Sequence, residues 1–197
     1  FIYSNIDFFI LSFFIDLKTL AVYGVCTRIS NLLSFIQGSI RSIISNPLAN
    51  LFKQNKLNEM QDLIVKVSRI IILIVLVTSV IIFFGGKLIL GLWNFDDIDA
   101  YYILLIVSFG QLINFIFGNT GQILNMCDLE KLNFKLNFIF LFCYSILLLI
   151  LIPKYGIFGA AVLNASNYTL LNVFKSYIVF DKLKIKSFSL IGKNYVN

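Results

Sequence analysis

Arg28 asks more of its surroundings than any other residue in the chain. It lies about nine residues into an apolar stretch, with no further charge until Arg41. A guanidinium at that depth of a bilayer costs on the order of 2.5–3.5 kcal/mol on insertion scales, so it should face protein or a wet cavity. At a helical turn per 3.6 residues, Gly24, Arg28, Asn31, Phe35, Ser39 and Ser42 fall on one arc, a candidate cavity wall. An ion pair with Asp7 or Asp16, or snorkelling to the outer interface, would satisfy the same arginine. A second stripe is cleaner: Gln111, Asn114, Gly118, Gln122 and Asn125 are spaced 3, 4, 4 and 3, which holds them on one narrow face of a helix. Interhelical packing through small and amide residues gives the same pattern. Asn164, Asn167 and Lys175 share a third arc. Three such stripes together imply an aqueous cleft between helices, whose chemistry is hydrogen bonding and charge pairing with a polar cargo. Asp7 is the one acid inside an apolar run; it is either an ion-coupling site for a proton or sodium, or the partner of Arg28.

No catalytic constellation competes with this. Histidine is absent, which excludes a His metal site or general base. Cys26, Cys127 and Cys143 are unpaired in spacing and sit in or beside apolar runs, where thiols are small buried hydrophobes. No cofactor and no metal site is expected.

The elements that must hold these stripes are membrane helices. Of 197 residues, 59% are apolar and 13% charged, against about 25% charged in a soluble domain. Charge-poor runs each reach, or nearly reach, the ~20 residues that cross a hydrocarbon core. Stretches such as 70–77 do not alternate, which sets aside a β-barrel. The expectation is an all-α polytopic membrane protein with helices at about 1–15, 19–45, 69–92, 100–126, 136–152 and 157–180, and a basic tail at 181–197. The run Asn50 to Arg69 mixes apolar and charged residues at helical spacing, so an amphipathic linker at 50–68 should lie on the inner face. The first residue is Phe and the first apolar run spans only about 20 Å as a helix, so helix one reads as truncated.

Charge orients the set. The segment 51–69, the turn 127–135 and the tail carry ten Lys and Arg, whereas the opposite connections carry Lys18 and Lys154 alone. The positive-inside rule then puts the first set and the C-terminus in the cytoplasm. A net charge of +6 is used up by that asymmetry, and no nucleic acid is implied. Trp93, Tyr101 and Tyr102 flank the acidic outer loop at the depth of an aromatic belt.

The segments NIDFFIL (5–11), VYGVCTRI (22–29), ISNPLANLF (44–52), GQILNM (121–126) and IPKYGIFGAA (152–161), in that order, resemble the C-terminal half of polysaccharide and O-antigen repeat-unit flippases. These belong to the exporter superfamily that includes MATE drug exporters and the lipid II flippase. The resemblance implies a six-helix lobe, half of a twelve-helix transporter whose two lobes open a cavity alternately to each side of the bacterial inner membrane. It implies a polyprenyl-diphosphate-linked oligosaccharide as cargo, membrane lipids as surroundings, a coupling ion, and a missing N-terminal lobe. It places Arg28 toward the lipid diphosphate, and Asn31, Gln111, Asn114 and Asn164 toward sugar hydroxyls. A guanidinium in a low-dielectric cleft pairs well with phosphate oxygens. The rivals are a MATE-type cation-coupled drug exporter, which would want more cavity acids than Asp7, and a membrane glycosyltransferase or polymerase, which would need carboxylates beyond the loop cluster Asp96, Asp97 and Asp99.

Overall fold

A computed structural model describes residues 2–187 except 96 and 118, with residues 2–4 and 33 as backbone alone. Phe1, Gly118, Asp96 and the tail beyond 187 therefore lie outside the described residues. The order is α1 (Ile2–Leu11), α2 (Leu17–Lys53), α3 (Leu57–Gly91), α4 (Ile98–Phe117), α5 (Thr120–Met126) and α6 (Glu130–Leu183). Four stretches, Leu17–Lys53, Leu57–Gly91, Ile98–Met126 and Glu130–Leu183, are long and apolar enough to cross a membrane. The described residues form an all-α polytopic membrane protein.

Local chemistry sets the boundaries. Asp16 caps α2 by accepting the Thr19 N–H at 3.0 Å, the usual role of a short acid at an N-terminus. That bond holds the Asp16 carboxyl below its ordinary range. Its contribution is thus present above the unfolded carboxylate pKa and fades as pH falls through the lowered folded value. The turns after α2, α3 and α5 are closed by Asn55, Asn94 and Asp128 with φ of 55°, 57° and 59°, residues whose short polar side chains tolerate the left-handed region.

Two of these helices differ from what charge gaps imply. The amphipathic stretch is no separate linker: α2 runs on to Lys53, and residues from Leu57 open α3, which continues unbroken to Gly91. Charged residues do not interrupt a helix; they only mark where it leaves hydrocarbon. Met60 and Ile64 on this opening segment are buried with Leu48, Ile123 and Val179. The tail is likewise held as far as Ser187. Ile185 joins that same cluster, and the Gln61 amide brackets Lys186, accepting its backbone N–H at 2.8 Å and donating to its carbonyl at 3.2 Å.

α6 is nominally 54 residues, about 80 Å if straight. Gly156 breaks it with φ 55° and ψ −140°, and the chain doubles back there. Lys175 Nζ reaches Asn137 Oδ1 at 2.8 Å, and the rings of Phe140 and Phe174 lie 5.7 Å apart, which only antiparallel arms allow. The arms, 130–155 and 157–183, meet at a turn that an L side chain would strain. Nothing lies within 4 Å of a Cβ at this position, so Gly156→Ala tests the backbone alone. Its expected cost is about 1–3 kcal/mol, read as a lowered Tm of the purified protein.

Among the described residues packing gathers into two larger apolar cores stacked along the helices, with a smaller cluster around Ile71 and Phe115. One gathers Leu11, Tyr23, Cys26, Leu104, Leu148 and Ala161; the other gathers Leu48, Met60, Ile64, Leu124 and Val179. Large apolar side chains on α3, among them Leu73, Leu76, Phe83, Phe84 and Leu88, point outward, as a helix facing lipid requires. Cys26 and Cys127 are buried free thiols, and Cys143 is exposed.

Candidate functional site

Between the two cores the helices face one another with carboxamides. A chamber of about 510 Å³ is bounded by the middle of α2, the end of α4, α5 and both arms of α6. Three of the expected contact residues, Asn31, Gln111 and Asn114, line it together with Gln122 and Asn125 of the same stripe. The 3.6-residue spacing that suggested a polar face on α4 thus continues across 118 into α5.

The amides are wired into two chains. Lys175 donates to Asn137 Oδ1 at 2.8 Å, Asn137 donates to Asn133 Oδ1 at 3.5 Å, and Asn133 donates to Asn125 Oδ1 at 2.8 Å. On the other side Asn172 donates to Asn114 Oδ1 at 2.9 Å, and Asn114 donates to Gln111 Oε1 at 3.1 Å. Gln37 reaches across from α2 to the Asn114 carbonyl at 3.3 Å. Such bonds fix the amides' orientations and leave their remaining lone pairs and N–H groups facing the space. Among the described lining residues there is no Asp or Glu, whereas Arg41 and Lys175 both line the space.

The other expected residues sit elsewhere. Arg28 is exposed on the outside of this bundle and does not line the chamber. Among the described residues no ion pair joins it to Asp7 or Asp16. Asp7 is buried, and its Oδ2 accepts the Tyr23 hydroxyl at 2.6 Å and the Asn164 amide at 2.9 Å. Asn164, expected among the sugar contacts, is therefore outside the chamber, drawn into a polar joint between α1, α2 and the second arm of α6. Its Oδ1 is buried with no hydrogen-bond partner among the described residues. Arg41, Asn133, Asn137, Tyr168 and Asn172 are chamber residues that sequence reasoning did not single out. Asn133 and Asn137 are one helical turn apart, but Lys131 and Lys135 stand among them and mask the spacing.

A second concavity is chemically unlike the first. A groove of about 910 Å³ between α3, α4 and the second arm of α6 is walled by Phe83, Phe84, Phe109, Leu112 and Leu170, and it is suited to hydrocarbon rather than to a hydrated cargo.

Fold and site define a multi-pass membrane protein with a half-open, cation-bearing polar chamber and no cluster of metal-ligating side chains among the described residues. The chain is 29% identical over 174 residues, 85% of its length, to a protein named probable flippase AglR from Haloferax volcanii. It is 28% identical over 145 residues, 73% of its length, to a capsular polysaccharide biosynthesis protein, CapF, from Staphylococcus aureus. It spans little more than a third of these curated relatives, 36% and 37%. No family model matches the chain, and no solved structure matches it.

Proposed function

We propose that the chain is the second lobe of a flippase that carries a polyprenyl-diphosphate-linked oligosaccharide across the bacterial inner membrane for surface polysaccharide synthesis. The observation that carries this reading is the amide-lined chamber with no Asp or Glu among its described lining residues. Carboxamides offer donors and acceptors at once, as sugar hydroxyls require, and the names of the two similar proteins, a flippase and a capsule-synthesis protein, fit such a cargo. No covalent step is needed, so no catalytic residue is assigned. The lobe rocks against an N-terminal partner lobe by alternating access, with its basic connections and C-terminus in the cytoplasm.

Within that scheme Arg28 faces the partner lobe and the cargo's diphosphate from outside the bundle, while Asn31, Gln111 and Asn114 face sugar. Asp7 is the ion-coupling candidate. Its burial supports this: the carboxylate is held by two neutral donors, the Tyr23 hydroxyl and the Asn164 amide, with no ion pair to it among the described residues. A MATE-type drug exporter ranks second, because a cationic cargo would meet Arg41 and Lys175 with no carboxylate among the described lining residues.

The test is export in cells. Arg28→Ala, at unchanged membrane abundance, should cut surface polysaccharide at least tenfold and accumulate lipid-linked repeat units at the inner leaflet, with Arg28→Lys intermediate. Normal export by Arg28→Ala would remove the arginine's assigned role. Normal export after depletion of the whole protein would remove the flippase reading.

A further inference from the structure

The chamber holds two cations that the cleft-facing role of Arg28 does not use. Lys175 is 6% exposed, and among the described residues its one hydrogen bond goes to a neutral amide, Asn137. An ammonium has three donors, so two remain. Arg41 lines the same space. Two like charges at the wall of one chamber, without a carboxylate among the described lining residues, are costly in a medium of low polarity. An anion between them offsets that cost. Room for one is there, since the space that both cations line measures about 510 Å³.

We propose that Arg41 and Lys175 form an anion subsite for a phosphate or diphosphate group, separate from Arg28. The two arginines are 13 residues apart on α2, about 20 Å along the helix axis. A guanidinium presents a fork to two phosphate oxygens while the ammonium supplies a compact point charge. Asn114 and Asn125 have amide N–H groups to contribute, whereas those of Asn133 and Asn172 are already donated within the wall, and the two resident positive charges disfavour a metal cation in the same space. The inference builds on the flippase reading, in that an anionic carrier lipid meets this subsite near the inner end of the bundle and Arg28 further out, but it concerns binding and not movement.

The experiment measures binding to the full-length protein in phosphatidylcholine nanodiscs, with undecaprenyl diphosphate and, in a second arm, inorganic pyrophosphate as probes. Arg41→Gln and Lys175→Gln should each weaken binding of the diphosphate lipid about tenfold, and the double substitution about a hundredfold. Lys175→Arg should retain most of the affinity, and Lys154→Gln in the exposed 153–156 turn should change it less than about twofold. Loss of the lipid alone makes the lipid headgroup the ligand; parallel loss of pyrophosphate makes the free anion a ligand too, and either result supports the subsite. Tm and elution volume, measured on every variant, identify any that fails to fold, and Lys175→Met, which keeps the side chain's length without its charge, then stands in for it, with the same tenfold weakening expected and unchanged affinity counting against the subsite. Unchanged affinity in the folded double variant overturns the proposal. Flipping assayed in parallel keeps the two ideas apart: a wild-type protein that binds through Arg41 and Lys175 but moves no lipid-linked glycan would sink the flippase reading and leave the subsite standing.

Discussion

Gly110→Val should nearly abolish accumulation of the folded protein, the largest expected effect of any small substitution in this chain. At Gly110 α4 lies directly on the second arm of α6. A Cβ built there would stand 2.4 Å from Ala165 Cα and 2.6 Å from Ala165 Cβ, where real contacts start a full ångström further out. Overpacking that flexible side chains can absorb costs about 1–3 kcal/mol. Here the nearest atom belongs to backbone, so an entire helix must move and the cost lies at or above the top of that range. The displacement would also open the chamber wall, since Gln111 and Asn114 flank the contact on α4 while Tyr168 and Asn172 follow Ala165 on α6. Ala165→Gly should give little rescue, because it removes the Cβ and leaves the closer Cα in place. Gly38→Ala on α2 is the contrasting control. Nothing lies within 4 Å of its Cβ, and alanine is the better helix former by about 1 kcal/mol, so that variant should be neutral or slightly stabilised. Fluorescence-detected gel filtration of detergent extracts, with Tm on any folded fraction, decides both. Normal yield and Tm for Gly110→Val would mean that the α4–α6 contact is looser than the close approach implies.

The same contact shows what the sequence makes legible. The α4 stripe was readable because its residues repeat at the helical period, and period survives whatever the helix packs against. The break at Gly156 was readable too, from a proline and a glycine between two charge-free runs. Arg41 was not, because a cation near the end of an apolar run looks the same whether it marks the interface or turns into a chamber. Asn133 was hidden by its basic neighbours: charge gaps report where helices enter hydrocarbon, and α6 begins at Glu130, well before that point. The amphipathic residues after Lys56 were misassigned to a linker for the same reason. Asn164 was misplaced on a different ground. Its arc is shared with Asn167 and Lys175, but Asn164 bonds to Asp7 of α1, and the sequence of α6 holds no record of which of its polar residues a distant carboxylate will claim.

That carboxylate carries the second large expectation, and it separates two uses of one residue. Asp7→Ala should destabilise severely. It strips the acceptor from the Tyr23 hydroxyl and the Asn164 amide, which are 0% and 7% exposed, and a buried polar group left without its partner costs about 1–3 kcal/mol. Two such losses among α1, α2 and α6 add to the cavity left by the truncated side chain, so membrane abundance should fall several-fold and Tm with it. Asp7→Asn is the informative companion. The introduced carbonyl can still accept from Tyr23, and the introduced N–H can meet the Asn164 Oδ1 that now lacks a partner once that amide rotates. The variant should therefore fold with a Tm near that of the parent, at a normal level in the membrane. What it loses is the charge. If Asp7 couples an ion to movement, Asp7→Asn transport should become independent of the sodium and proton gradients and drop at least tenfold, in protein that is fully folded. If Asp7 only ties three helices together, Asp7→Asn should export glycan at the normal rate and with the normal ion dependence. On the flippase reading proposed above, a folded, gradient-insensitive Asp7→Asn protein is the outcome expected.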